Sequence, residues 1–298
     1  MVRVRRSSLR SYFDASFVRS LLWGAFWIVL TVGSVLSSSL GAGVAEALTI
    51  RGDRWLAITE LSGTVELISS QGDRQLAQTG DRLASVGDTL ITGPSASARL
   101  EVDQSVGYIS MAEDSQLRIQ TLSITRSGGR VTELFVTRGQ VRLRLRRLTN
   151  PDSRLEIHTP AGVSGVRGTE FGLTVQANGQ TGVATLEGSV AASAQGETVI
   201  VAANRQSAIY PGDPPTPPAP LRDDPALFIE ALIPLPNRRA RIVGYTDTVN
   251  LLDVNQGRQI LDRAGRFDLE VALSDARSVA VVVTTPLGTE QTYKLVVP

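Results

Sequence analysis

The sequence predicts an all-β protein of about two domains that follows a hydrophobic N-terminal segment. From residue 56 onward, apolar and polar residues alternate in short runs, which is the period-two pattern of half-buried strands. Gly, Asp and Ser interrupt these runs, and few runs without Gly are long enough to form a helix. The length of 298 residues is sufficient for two ordinary domains.

The first 47 residues predict an export signal. Residues 1–19 are rich in arginine, and residues 20–45 contain no charged side chain. Ala45 and Ala47 provide the small side chains that a signal peptidase recognises, so cleavage after Ala47 is expected. The alternative is an uncleaved hydrophobic helix over residues 21–45 that anchors the chain in the inner membrane. In both cases the rest of the chain is exported, to the periplasm or the cell surface.

Composition argues against several classes of function. The formal net charge of +1 gives no reason to expect a nucleic-acid partner. The absence of cysteine excludes disulfides and thiolate metal sites. The only histidine, His158, has no second histidine with which to bind zinc, and no serine lies in a nucleophile-elbow motif. We therefore expect no catalytic residue, no metal and no cofactor, and a structural role for His158.

The predicted strands form two groups on either side of a proline-rich stretch. In the first group they cover residues 64–68, 98–102, 106–111, 116–119, 131–136, 140–145, 154–157, 171–176, 181–186 and 198–202. In the second group they cover residues 240–243, 248–252, 267–273, 278–284 and 293–297. The prolines between the groups predict an extended, semi-rigid spacer and a domain boundary.

These patterns predict four segments. Residues 1–47 are the signal peptide or anchor, residues 56–210 a β domain, residues 211–225 the linker, and residues 226–298 a short helix followed by a small antiparallel sandwich. Within the β domain, Gly63, Gly139 and Gly188 each begin a similar short strand. This echo suggests strand layers that stack in a roll or a solenoid.

One predicted strand is strongly basic. Residues 141–148 alternate Val or Leu with Arg, so one face enters the core and the other presents guanidinium groups. The candidate ligand- or partner-binding residues are Arg138, Arg142, Arg144 and Arg146. Arg154 extends this patch. One interpretation is a solvated face neutralised by carboxylates such as Glu133 and Glu156; the other is a surface that binds an anion or a protein.

Residues 159–171 combine a turn with the start of a strand. Pro160 restricts the backbone before it, and closely spaced glycines permit a tight turn. Arg167 lies between these glycines, where its guanidinium either pins the turn by bonding to Glu170 or to loop carbonyls, or binds a ligand anion. The structural interpretation is favoured. The residues that define this signature are Thr159, Pro160, Gly162, Arg167, Gly168, Thr169 and Phe171.

The order of these motifs resembles the FecR-type domain, the periplasmic sensory domain of iron-citrate regulator proteins. The most specific part is residues 166–171, Val-Arg-Gly-Thr-Glu-Phe, with residues 92–100 and 138–142 before it and residues 183–190 after it. The resemblance covers residues 59–210 and implies a β-solenoid-like domain outside the inner membrane. The tail, from residue 262 through Gly288, is more weakly similar to bacterial immunoglobulin-like surface modules.

The regulators place a cytoplasmic anti-sigma segment before their membrane span, whereas here about nineteen residues precede the apolar run. So short a segment does not fold into a domain that holds a sigma factor. We therefore expect a non-enzymatic, exported cell-envelope protein that binds an envelope protein or a glycan. The alternative is a periplasmic signalling component that relays a receptor's state through a separate partner. A carbohydrate-active enzyme is a third and weaker candidate.

Overall fold

The computed structural model describes residues 54–104 and 106–297. The predicted signal or anchor, and with it the predicted hydrophobic helix, lies outside the described residues. Strands, turns and loops account for the whole of the described part, which confirms the all-β prediction. Within that part, no helix has the length and apolar character needed to cross a membrane.

Seventeen strands form the N-terminal β domain. They are β1 (Leu56–Ser62), β2 (Val65–Ile68), β3 (Arg74–Leu76), β4 (Arg82–Leu83), β5 (Thr89–Thr92), β6 (Ser97–Val102), β7 (Gly107–Met111), β8 (Gln116–Ile124), β9 (Arg130–Leu145), β10 (Arg154–His158), β11 (Val163–Val166), β12 (Glu170–Val175), β13 (Thr181–Glu187), β14 (Ser189–Ala194), β15 (Glu197–Ala202), β16 (Arg205–Ile209) and β17 (Ala219–Pro220).

Seven further strands form the C-terminal module. They are β18 (Phe228–Leu235), β19 (Arg239–Tyr245), β20 (Leu251–Val254), β21 (Gly257–Gln259), β22 (Arg266–Ala272), β23 (Ser278–Thr284) and β24 (Glu290–Val296).

The N-terminal β domain consists of two open layers. The first layer has the strand order β4-β1-β6-β7-β9-β12-β13-β16-β17. The second has the order β3-β2-β5-β8-β9-β10-β11-β14-β15. Successive segments of the chain contribute strands alternately to the first and to the second layer, and later segments lie further along each layer. Only the β9–β10 pairing in these layers is parallel, so the predicted solenoid, with its repeated parallel coils, is not confirmed.

Strand β9 belongs to both layers because it bends at Gly139. Before the bend it pairs with β8 and β10, and after the bend with β7 and β12. Gly139 has a φ of +94°, and a Cβ there would overlap Ser115. Only glycine fits this conformation and this close approach. The bend also explains why the alternation predicted two strands, over residues 131–136 and 140–145, where the structure has one.

One hydrophobic core fills the space between the two layers. Val141 and Leu143 of β9 and Phe171 of β12 are fully buried in it. Their polar neighbours along each strand point away, as strand alternation requires. Burial of each large side chain contributes about 1.5–3 kcal/mol.

The C-terminal module contains two antiparallel sheets, β18-β19-β22 and β21-β20-β23-β24. Ile242, Leu252, Phe267 and Val281 come from both sheets and share a second core. The short helix predicted at the start of this module is wrong, because β18 pairs with β19 along its whole length. The segment is too short for a stable isolated helix, and pairing with β19 satisfies its backbone instead.

The proline-rich stretch before the module lies along strand β16. Thr216 N donates to Ala208 O at 2.8 Å, and Leu221 N donates to Asn204 O at 2.9 Å. β17, within this stretch, pairs with the start of β16. The stretch is therefore extended, as its prolines require, and it is also part of the first layer.

The C-terminal module packs directly on strands β9, β12 and β13, and we call this contact the domain joint. Gln176 Oε1 accepts a hydrogen bond from Leu261 N at 3.0 Å, and Gln140 Nε2 donates to Pro286 O at 2.8 Å. Gly172 faces Pro286 so closely that a Cβ would overlap the Pro286 carbonyl. The joint thus combines buried hydrogen bonds with backbone contact, which holds the two parts in one arrangement.

A buried carboxyl lies in the module near this joint. Asp253 in β20 has a side chain that is 5% exposed; its Oδ1 accepts from Arg258 Nε at 2.7 Å, and its Oδ2 has no hydrogen-bond partner. Burial raises the pKa of Asp253, Arg258 opposes this rise, and the charges of Glu113 and Asp114 add to it. The ionised form is therefore destabilising in the folded chain.

We expect Asp253→Asn to stabilise the protein at pH 8, by on the order of 1 kcal/mol, since asparagine keeps the acceptor for Arg258 and removes the negative charge that burial destabilises. The folded chain binds the Asp253 proton more tightly than the unfolded chain. As the pH falls through the raised pKa, protonation of Asp253 stabilises the wild type. The difference in the free energy of unfolding between the variant and the wild type therefore becomes smaller. Urea unfolding of both proteins between pH 8 and pH 5 measures this difference, and a difference that grows on acidification contradicts this account.

Candidate ligand-binding surface

The basic strand has the alternation that its sequence predicts. Val141 and Leu143 face the core, whereas Arg142 and Arg144 face outward. Glu170 of β12 contacts both arginines: its Oε1 lies 2.5 Å from Arg142 Nη2, and its Oε2 lies 3.5 Å from Arg144 Nε. The opposing carboxylate is therefore Glu170, which the strand register places directly across from Arg144.

The four candidate arginines occupy different environments. Arg142 also donates to Leu287 O at 3.2 Å, so it belongs to the domain joint. Arg144 has a side chain that is 75% exposed. Arg138 lies before the Gly139 bend, opposite Gln116 in the second layer, and is exposed. Arg146 follows the end of β9 and is also exposed.

Arg154 lies on the second layer within a network of charged side chains. Its Nη2 is 3.0 Å from Glu133 Oε1, and its Nε is 3.3 Å from Glu156 Oε1. The Thr121 hydroxyl and Arg154 lower the pKa of Glu133, against the opposing effect of burial. His158 Nε2 lies 3.4 Å from Glu156 Oε2. This part of the predicted patch is a neutralised outer face.

The signature turn is held by hydrogen bonds within the domain. Arg167 Nη2 donates to the carbonyl oxygens of Pro151 at 2.9 Å and of Asn150 at 3.3 Å, so this guanidinium contacts loop carbonyls and not Glu170. Thr159 N donates to Gly162 O at 2.8 Å. Gly168 has a φ of +131° and its backbone passes against Arg147.

The other signature residues fix neighbouring strands to one another. Thr169 Oγ1 donates to Ser189 O at 3.2 Å, Thr181 Oγ1 donates to Thr159 Oγ1 at 2.9 Å, and Phe171 is fully buried. Pro160 lies against Gly179. The turn therefore joins strands of both layers.

Two shallow cavities lie on either side of residues 149–153, which we call the 149–153 loop. The first cavity, of about 350 Å³, is lined in part by Arg130, Arg146 and Arg147. The second, of about 420 Å³, is lined in part by Arg154 and Arg167. The sequence pattern identified Arg146 but missed Arg130 and Arg147 as surface candidates, because Arg130 begins β9 and Arg147 breaks the alternation that follows it. Strand pairing alone brings these residues together.

The described residues, 54–104 and 106–297, contain no group of three or more His, Asp or Glu side chains placed to bind a metal ion. The charged chemistry of the two cavities is instead that of guanidinium groups, which bind oxyanions through paired N–H donors.

The layers, the signature turn and the arginine-lined end together define a two-layer β-domain that presents a cationic surface. Residues 88–191 match the family model described as FecR protein. The resemblance to the FecR domain that the order of the motifs predicted is therefore confirmed for these residues, which lie within the predicted range of 59–210. The matched residues include the Gly139 bend, the signature turn and all five arginines that line the two cavities. A search of curated proteins gave no significant match.

Proposed function

We propose that the protein is an exported, non-enzymatic component of the cell envelope that binds another envelope protein or a glycan through its FecR domain. The FecR match over residues 88–191 is the observation that carries this proposal, because it supports a periplasmic, signalling-related role and contact with envelope receptor proteins. The N-terminal sequence adds support, since residues 1–47 have the pattern of an export signal or an anchor.

Exposed arginines on β9 and beside it provide the contact surface. Arg144 is 75% exposed and only loosely paired with Glu170, and Arg138 and Arg146 are exposed at either side of it. Arginine is enriched at protein interfaces because its planar guanidinium bonds to carboxylates and stacks on aromatic rings. Strand β9, paired with β7 and β12 on its two sides, holds Arg144 on a rigid support, while Arg138 lies just before its bend and Arg146 just after its end.

The C-terminal module serves as a fixed spacer and as a second contact. On its edge strand β18, Phe228 stacks on Tyr245 with ring centroids 4.8 Å apart. These rings are 51% and 38% exposed. Exposed aromatic pairs of this kind suit protein contacts, because they bury a large area with few rotatable bonds.

A signalling relay is the second candidate function, and the position of Arg142 favours it. Its guanidinium contacts Glu170 in the strand face and Leu287 O in the domain joint. A partner that displaces Glu170 from Arg142 would therefore change contacts at the joint as well. In this role the protein passes a receptor's state to a separate partner through the C-terminal module.

A pull-down from cells that produce the tagged full chain tests the proposal. The test variant is Arg138→Glu, Arg144→Glu and Arg146→Glu together; Arg142 is left unchanged because it helps to hold the domain joint. We expect at least about tenfold lower recovery of partners, since reversed charges at an interface repel. The matched control is Arg118→Glu with Arg205→Glu, two exposed arginines elsewhere on the domain.

Equal recovery of the same partners by the test variant and the wild type would show that the contact lies elsewhere. An outer-membrane receptor among the partners favours the relay, and a structural envelope protein or a glycan favours the scaffold.

A further inference from the structure

The end of the FecR domain around the 149–153 loop carries positive charge that, at the first cavity, the domain itself leaves largely uncompensated. Among the described residues, Arg146 and Arg147 have no carboxylate within ion-pair distance, and the first cavity has no acidic side chain in its lining. Arg167 uses one nitrogen for loop carbonyls. At the second cavity, Asp152 accepts a hydrogen bond from Ser127, and Arg154 is already paired with Glu133 and Glu156.

The charge of Arg130 is kept available by a buried ion pair beneath it. The nearest carboxylate to Arg130 is Asp103, with Nη1 and Oδ2 3.9 Å apart. Asp103 is already bound by Arg54 through contacts of 2.5–3.1 Å, and both of those side chains are 5% exposed. Arg54 therefore neutralises the charge of Asp103. The positive charge of Arg130, which lines the first cavity, is left without an equivalent counter-charge.

A hydroxyl group lies between the two cavities. Ser153 lines both of them, is 6% exposed, and its Oγ accepts a hydrogen bond from Arg130 N at 2.9 Å. No acceptor for its own hydrogen is present among the described side chains and backbone groups. A serine hydroxyl donates one hydrogen bond as well as accepting, so Ser153 offers a donor at the centre of the arginine group.

The arrangement of these donors fits phosphate better than carboxylate. The unneutralised arginines come from the start of β9, the segment after β9 and the turn after β11. They therefore approach from several directions, whereas a carboxylate presents two oxygens in one plane. A phosphate group presents three or four oxygens tetrahedrally and carries up to two negative charges, and arginine binds it bidentately.

We propose that the two cavities beside the 149–153 loop form a binding site for the phosphate group of an envelope ligand. This proposal rests on the proposed function, in which the FecR domain is a contact surface, and it names the chemistry of the ligand. The group belongs either to a soluble phosphate ester or to a phospholipid headgroup. The cavity volumes of about 350 and 420 Å³ accept the phosphate together with the part of the ligand attached to it.

The test measures the melting temperature of the full chain in a neutral detergent. The probes are inorganic phosphate and glycerol phosphate, at an ionic strength held constant with sodium chloride, and phosphatidylglycerol mixed into the micelles. We expect a phosphate probe at ten times its Kd to raise the melting temperature by roughly 3 °C. A rise with all probes indicates the shared chemistry, a rise with phosphatidylglycerol alone indicates a lipid source, and a rise with the soluble probes alone indicates a free ester.

Two variants give the decisive comparison. Arg146→Ser with Arg147→Ser removes the two unpaired charges of the first cavity, and we expect it to raise the Kd at least about tenfold. The control, Arg118→Ser with Arg205→Ser, removes two exposed arginines outside the cavities and is expected to bind as the wild type does. All four side chains are exposed, so neither variant disturbs the core.

No rise with any probe, or an equal rise in the wild type and the Arg146/Arg147 variant, overturns the phosphate site. This result is separate from the pull-down. Partner recovery that is lost in the Arg138/Arg144/Arg146 variant, in a wild type that binds no phosphate probe, leaves the proposed function standing and removes only the phosphate site.

Discussion

Replacing Gly172 with alanine is expected to disrupt the domain joint and to lower the free energy of unfolding by about 3 kcal/mol. The added Cβ would overlap the Pro286 carbonyl oxygen and lie 3.1 Å from Leu287 Cα. These are backbone atoms, so no rotation of a side chain relieves the overlap, and the C-terminal module must move away from β12. Urea unfolding measures the loss, and limited proteolysis of the stretch between β16 and β18 reports the opening.

Gly165→Ala is the matched control for this substitution. A Cβ at Gly165 meets only Glu156 Cγ, at 3.9 Å, which is an ordinary contact. Gly165 also has no positive φ that alanine would strain. If the Gly172 variant unfolds at the same urea concentration as the Gly165 variant and resists protease equally, the joint is not the close backbone contact described here.

Replacing Arg54 with alanine is expected to cost about 3–5 kcal/mol, the range for a buried ion pair that loses one partner. The change leaves Asp103 as a buried carboxylate without its main partner. It also removes the donors to Ser123 O, Val131 O and Thr132 Oγ1, at 2.8, 2.5 and 2.6 Å. Thermal and urea unfolding of the full chain measure the loss.

Arg74→Ala provides the comparison for Arg54. Arg74 pairs with Glu66 at 3.7 Å, and these side chains are 69% and 44% exposed. An exposed pair of this kind contributes no more than about 1 kcal/mol, because water already solvates both charges. Equal losses in the free energy of unfolding from the two substitutions would mean that Arg54 and Asp103 are solvated in the folded protein and do not form a buried ion pair.

The local pattern of the sequence predicted many of the strands that lie over the core, but it missed β1, β5, β11 and β16, which bury side chains there. In β9 the alternation of Val141, Arg142, Leu143 and Arg144 gave the buried and exposed faces correctly, because side-chain direction in a strand depends only on position along it. The shortest strands were missed as well. β3 has no buried residue and β4 has two residues, so neither carries a periodic signal.

Contacts between distant strands were beyond sequence reasoning. Proximity in sequence predicts Glu133 and Glu156 as partners for the basic strand. Glu170 is the actual partner, since β12 pairs beside β9 in a register that no local pattern specifies. The start of the C-terminal module was misread for a similar reason. Residues 226–232 resemble a capped helix locally, but from Phe228 onward they pair with β19 as a strand.

The arginine-lined cavities depend on the same long-range pairing. Arg130 lies at one end of β9 and Arg146 just beyond the other, and the bend at Gly139 is what places both ends near the 149–153 loop. A turn glycine is visible in the sequence, but the angle through which it turns the strand is not. The presence of arginines on and beside β9 was therefore predictable from the sequence. Their position together beside the 149–153 loop was not.

The order in which strands enter the two layers has a consequence for how the chain acquires its structure. Each layer grows outward from β1 and β2 in nearly the sequence in which residues leave the ribosome, and partners are separated by few intervening strands. A chain that emerges N-terminus first meets its neighbour already formed at almost every step. Each new pairing still closes a long loop, as between Leu56 and Val102 or between Gly107 and Leu145, so assembly is expected to be ordered along the chain but slow.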